Sequence, residues 1–118
     1  MPERRLVVQE AEGALLVGFR DQAVLDTVTV DAIGSELYGL IDAHHQRNLV
    51  LDLSSVSFVS SPALSMLLHL RHKADEAGGE VVLCQLRPEI ARLLRITKLD
   101  KLFHFFETPA AALAHFTQ

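Results

Sequence analysis

LVLDLSSVSFVSSPALSMLLHL, residues 49–70, holds the reading that decides the fold. LVLDL is a nearly continuous apolar run, the pattern of a strand covered on both faces. SSVSFV continues as a β-like run. Ser60-Ser61-Pro62 then precedes a long segment in which Ala63, Leu67, Leu70, Ala74 and Ala77 recur on one helical stripe. The segment stops at Gly78-Gly79, where glycine supplies the usual helix end. Strand, junction, helix: the helix should lie back on the sheet that the strand enters.

The junction has two readings. Proline pushes the residue before it toward extended geometry, so Ser61 is expected to cap the helix through its Oγ, with Pro62 at the first helical position. That cap stabilises by about 1 kcal/mol and needs no function. The same geometry also suits a regulatory hydroxyl, because a helix N-terminus tolerates an anion. A phosphate on Ser61 would add about −1.5 to −2 charges at neutral pH. The helix dipole favours that charge, so its effect would fall on a partner surface, where like charges cost several kcal/mol. The residues alone leave both uses open. The rest of the helix offers a polar stripe (Ser65, His69, His72, Glu76) and a flank carrying Leu64 and Leu68, followed by Arg71 and Asp75. Those leucines are either a docking patch or part of a wide buried face.

Working outward, RRLVVQE and GALLVGF read as a hairpin turning at Glu12-Gly13. DQAVLDTVTVDAIG is a polar, β-branched loop into a helix, with Ile33, Leu37, Leu40 and Ile41 at helical spacing up to His44-His45. After the central stretch, EVVLCQL is a second buried strand and Pro88 opens a short helix, PEIARLLRI. LFHFF is a last short strand, and Thr108-Pro109 starts a closing helix, PAAALAHF. The fold class is α/β, a mixed sheet with helices packed on it, in one domain over residues 1–118. The hairpin excludes a purely parallel sheet.

Composition narrows the function classes. The 118 residues are 49% hydrophobic, enough for a real core and too apolar for a disordered chain. The net charge of −4 and the scattered placement of 11 basic residues argue against a nucleic-acid binder. The single cysteine, Cys84, lies in the apolar run VVLCQL and reads as a buried strand thiol. The N-terminus is not that of a signal peptide, and no apolar run approaches the ~18 residues that span a bilayer. A cytoplasmic protein without membrane insertion is expected.

Catalytic motifs are missing. There is no G-x-S-x-G elbow and no glycine-rich phosphate loop. Asp52 is expected to tie down the turn that follows it. His69, His72 and Glu76 could share a helix face, but without further metal-ligand spacing they read as solvated. Leu102, Phe103, Phe105 and Phe106 are assigned to packing. No catalytic residue, metal or cofactor is expected, and a hydrolase using Ser61 is the weakest alternative.

LVLDLSSVSFVSSPALSMLL, followed by GGEVVLCQLRPEIARLLRITKLDKLF, closely resembles the STAS domain of bacterial anti-sigma-factor antagonists. VLDTVTVDAI is similar to that family's loop after the second strand. The family's junction typically reads Asp-Ser-Ser/Thr-Gly-Leu; here Ser60, Pro62 and Ala63 replace the aspartate, the second hydroxyl residue and the glycine. The resemblance implies that Ser61 is phosphorylated by a partner kinase that doubles as an anti-sigma factor. It further implies that the unmodified form binds that partner and that a cognate phosphatase resets the switch. By the same resemblance, Asp26 lies near this surface. The partner-binding set is then Asp26, Ser60, Ser61, Leu64 and Leu68, in transcription or stress control, with a homodimer compatible. The alternative within this fold is an unphosphorylated binding module in a multi-protein or transporter-associated complex.

Overall fold

The hairpin expected at Glu12-Gly13 is present in the computed structural model of the chain, which describes residues 6–19, 23–25, 30–43 and 48–117. Strands β1 (Leu6–Ala11) and β2 (Ala14–Phe19) pair antiparallel, with Ala11 opposite Ala14. The two-residue turn needs a positive φ at Gly13, observed at 83°. A Cβ there would also stand 3.0 Å from the Phe116 carbonyl oxygen. Glycine meets both demands.

After the hairpin come β3 (Ala23–Leu25), α1 (Val30–Ala43), β4 (Leu49–Asp52), β5 (Val56–Val59) and α2 (Ser61–Glu76). Then follow β6 (Val81–Cys84), α3 (Pro88–Ile96), β7 (His104–Phe106) and α4 (Pro109–Thr117). The main sheet has the order β1-β2-β4-β6-β7, and every pair after the hairpin is parallel. Parallel neighbours need crossover connections. α1 lies between β2 and β4, α2 between β4 and β6, and α3 between β6 and β7. The mixed sheet with packed helices is therefore the observed architecture.

The apolar runs have a simple cause. Leu49, Leu51, Val81 and Leu83 face a core shared with Ile33, Leu37, Leu67, Leu70, Ile90 and Leu94 from the crossover helices. Val50, Val82 and Cys84 face the other way, against Ala112, Leu113 and Phe116 of α4. Residues alternate between faces along a strand, and both faces are covered, so both sets must be apolar. Cys84 has no exposed surface. Burial, with the Asp52 carboxylate adding to it, pushes its thiol up to about 12. It is a buried strand thiol, as its context implies.

Two features differ from the sequence reading. The loop DQAVLDTVTV contains β3, which pairs parallel with β5 in a separate two-stranded ribbon. A three-residue strand carries too little periodicity to stand out, and its partner lies some thirty residues on. On α2, Ala63, Leu67, Leu70 and Ala74 are buried as expected, but Met66 joins them and Ala77 is exposed. Ala77 has left the stripe because it is the C-cap. Gly78 follows with φ at 83°, and the Gly79 N–H reaches back to the Ala74 carbonyl at 2.8 Å. That left-handed glycine closes the helix.

Candidate functional site

The Ser60-Ser61-Pro62 junction is built differently from the expectation that Ser61 is the cap. The cap is Ser60, with φ −81° and ψ 168°, and its Oγ accepts the Ala63 N–H at 3.2 Å. Its carbonyl accepts the first helical bond, from Leu64 N–H at 3.0 Å. Ser61 is already the first residue of α2, and Pro62 the second. A capping oxygen serves the N–H of the second or third helical position. With Ser60 as the cap, Pro62 at the second position has no N–H, so the bond goes to Ala63 at the third. Ser61 is thereby freed from the task and is exposed, as is Pro62.

The division of labour leaves few donors at the helix start. Of the N–H groups that a helix N-terminus exposes, Pro62 lacks one and Ala63 gives its own to Ser60. An anion on Ser61 would gain from the dipole without being folded into a ring of backbone donors. It would stay presented to whatever docks there.

Ser61 stands at the head of a groove of about 680 Å³ between α1 and α2, lined by Asp31, Ser35 and Tyr38 on one side and by Ser61, Ser65 and His69 on the other. Gly34 of α1 packs against Met66 of α2, where a Cβ on Gly34 would meet Met66 Cγ at 3.0 Å. A side chain there would require Met66 to shift. The Tyr38 hydroxyl donates to the Met66 carbonyl at 3.4 Å. Burial and the nearby Asp31 raise its pKa against a smaller opposing effect of Lys73. The groove presents a phenol, hydroxyls, an imidazole and one acid around an apolar floor that includes Pro62 and Met66.

Of the other residues singled out in the sequence, Leu64 and Leu68 lie on the opposite flank of α2 from Met66 by helical spacing. Both are half-buried and pack against the main core. They leave an apolar edge at the surface beside the exposed Ser61 and Ser65 face. Asp26 lies outside the described residues, as do His44 and His45; β3 ends at Leu25, which pairs with Val59. Asp31, Ser35 and Tyr38 escaped the sequence reading, because no local pattern marks which polar residues of α1 will face α2.

The remaining candidates resolve by geometry. Asp52 Oδ1 accepts the Ser54 N–H at 3.0 Å and Oδ2 accepts from Gln85 Nε2 at 3.0 Å. It holds its turn, as expected. His72 Nε2 pairs with Glu76 Oε1 at 2.6 Å on an exposed face, while His69 lines the groove. Phe103 is buried and Phe105 and Phe106 pack on the two cores, but Leu102 is 41% exposed and not part of that packing. Its carbonyl instead accepts from Arg71 Nε at 2.7 Å.

The capping geometry makes a direct prediction. Ser60→Ala should lower the unfolding free energy by about 1 kcal/mol, and Ser61→Ala should stay within about 0.5 kcal/mol of the parent. Urea unfolding of the two variants checks this; the reverse order would return the cap to Ser61.

Comparison with known proteins bears on the family and the fold. The STAS domain pattern matches residues 5–112. The anti-sigma F factor antagonist of Paenibacillus polymyxa is 26% identical over 109 residues, spanning 92% of each chain. The crystal structure of an anti-sigma factor antagonist from Mycobacterium paratuberculosis superposes with a TM-score of 0.81 at 27% identity, covering 96% of this chain and 93% of that one. The Bacillus cell fate determinant SpoIIAA, solved in its phosphorylated form, shares the fold with a TM-score of 0.69 at 14% identity, covering 93% and 97%. No described helix is long and apolar enough to cross a membrane.

Proposed function

The chain belongs to the STAS domain family, and on that premise we propose that it is an anti-sigma-factor antagonist whose binding is switched by a phosphate on Ser61. It binds rather than catalyses. In the unmodified state, the face formed by Ser61, Ser65 and the Leu64–Leu68 flank docks on a partner that is both anti-sigma factor and serine kinase. Asp26 and Ser60 complete the contact. Transfer of a phosphate to Ser61 places about −1.5 to −2 charges on that face and releases the partner; a phosphatase restores the first state. The cytoplasm is where such a partner would be met.

One observation carries this reading: Ser60 does the capping, so Ser61 Oγ is exposed at the head of the groove. A serine needed as a cap would be a poorer acceptor, since its Oγ is engaged with a backbone N–H. The relatives support the rest, through a similar protein named for antagonism of an anti-sigma factor and a fold neighbour solved with phosphate.

The test is the intact mass of the protein isolated from its own cells, with fragmentation to place the modification and Ser61→Ala as control. A single phosphate on Ser61 is expected. Phosphate on Ser60 would contradict the division between cap and acceptor. No phosphate under any growth or stress condition would leave a constitutive binding module, in a multi-protein or transporter-associated complex.

A further inference from the structure

At the other end of α2, three side chains from three separate elements converge. Glu80 stands just before β6, His104 opens β7 and His115 lies in the last turn of α4. The Glu80 carboxylate is shared: Oε2 is 2.6 Å from His104 Nδ1 and Oε1 is 2.8 Å from His115 Nε2. One donor atom from each residue lies within 4.8 Å of the others. α2 has 16 residues, about 24 Å of helix, and Ser61 stands at its opposite end. Nothing in the switch described above uses it.

From this geometry we propose that Glu80, His104 and His115 form a binding site for a borderline divalent cation of the zinc class. Two imidazoles and one carboxylate suit zinc, nickel or copper better than magnesium or calcium, which favour all-oxygen cages. Three protein ligands with a remaining open position is also a known zinc arrangement. For ligands about 2.0–2.1 Å from a tetrahedral ion, neighbouring donors sit about 3.3 Å apart. The two carboxylate–imidazole distances, 2.6 and 2.8 Å, would open by about 0.5–0.7 Å, and the widest donor separation, within 4.8 Å, would close toward the same value. Each imidazole then carries its proton on the other ring nitrogen.

The surroundings support the site. The His115 ring is held between His104, Phe106 and Phe116, with centroids 5.1, 5.4 and 4.9 Å away. A ligand ring fixed by packing loses little freedom on binding. Glu80 and His104 also line a cleft with Asp75, Arg71 and Lys101, which gives the ion an entry path and the open position access to water. One carboxylate against a divalent ion leaves net positive charge, to which Asp75 in the cleft is favourable and Arg71 and Lys101 are opposed. An ion held here would clip α4 to the sheet, because only His115 of the three belongs to α4.

The bland explanation is a hydrogen-bonded latch with no ion, and the experiment separates the two. Tag-free, chelator-treated protein is titrated with zinc chloride by calorimetry, and its thermal midpoint is followed with zinc or magnesium. One equivalent of zinc should bind and raise the midpoint, and magnesium should do neither. His104→Gln and His115→Gln should each weaken zinc binding tenfold or more, while His72→Gln, which breaks the exposed His72–Glu76 pair, should leave it unchanged. His104 is 64% exposed, so its variant keeps the fold even if the His115 variant does not. Cobalt in place of zinc should show the strong visible bands of a four-coordinate site, lost in the His104 variant. No heat and no midpoint shift up to millimolar zinc overturns the proposal, as does zinc binding that survives His104→Gln.

Discussion

Ser61→Asp should weaken the complex with the partner kinase by at least about tenfold while leaving the thermal midpoint almost unchanged. The two halves of that result have separate causes. Ser61 is exposed at the first position of α2 and carries no capping bond, so an acid there meets the positive end of the helix dipole and costs the fold little. At a docked interface the same charge is desolvated and faces whatever acids the partner carries. A penalty of only about 1.4 kcal/mol is already tenfold in affinity, and juxtaposed like charges reach several kcal/mol. A true phosphate, with roughly twice the charge of aspartate, should act more strongly still.

Ser60→Asp is the informative contrast. Aspartate is as good a cap as serine, so the helix should keep its capping bond, with the new charge drawn in toward Ala63 N–H. Its effect on partner affinity should be smaller than that of Ser61→Asp. The measurement is a pair of titrations with partner purified on the unmodified protein, beside thermal melts of both variants. A large fall in the Ser61→Asp midpoint would mean that the hydroxyl is structural. An unchanged affinity with an unchanged midpoint would mean that the partner docks elsewhere.

How much of this was legible in the sequence depends on the range of the interaction. LVLDL and EVVLCQL announced buried strands because both of their faces are covered, one by the crossover helices and one by α4. Pro88 and Thr108-Pro109 marked their helices because helix starts obey local rules; Thr108 Oγ1 does accept the Ala111 N–H at 3.1 Å. The cap at Ser60 was misplaced by one residue. Proline's effect on its predecessor points to Ser61, whereas Ser61 already lies within the helix and Ser60 Oγ takes the Ala63 N–H. The β3–β5 ribbon, the α1 wall of the groove and the Glu80–His104–His115 cluster left no trace in any local pattern. Each joins segments that only tertiary packing brings together: Glu80 and His115 are 35 residues apart.

Leu70→Ala should cost about 3–5 kcal/mol of stability, the largest effect expected of any single change in α2 considered so far. Leu70 is fully buried, in one cluster with Leu51, Leu67 and Leu83. Removing about three methylene equivalents forfeits roughly 2.4 kcal/mol of transfer free energy. The rest is the cavity, which neighbours on a hydrogen-bonded sheet are poorly placed to fill. A domain of this kind has about 5–15 kcal/mol in total, so the variant should retain a native state with a much lower urea midpoint and an unchanged m-value. Leu102→Ala, at a 41% exposed position, should shift the midpoint by about 0.5 kcal/mol or less. The pair also separates fold from switch. α2 carries both Leu70 and Ser61, so a binding loss in Leu70→Ala should track its unfolded fraction and recover on cooling or with a stabilising osmolyte. The loss in Ser61→Asp should persist under the same conditions, because that protein is fully folded. If Leu70→Ala costs 1 kcal/mol or less, α2 is sliding down onto the sheet to close the cavity. Such a helix would be a movable element, and Ser61 at its head would move with it.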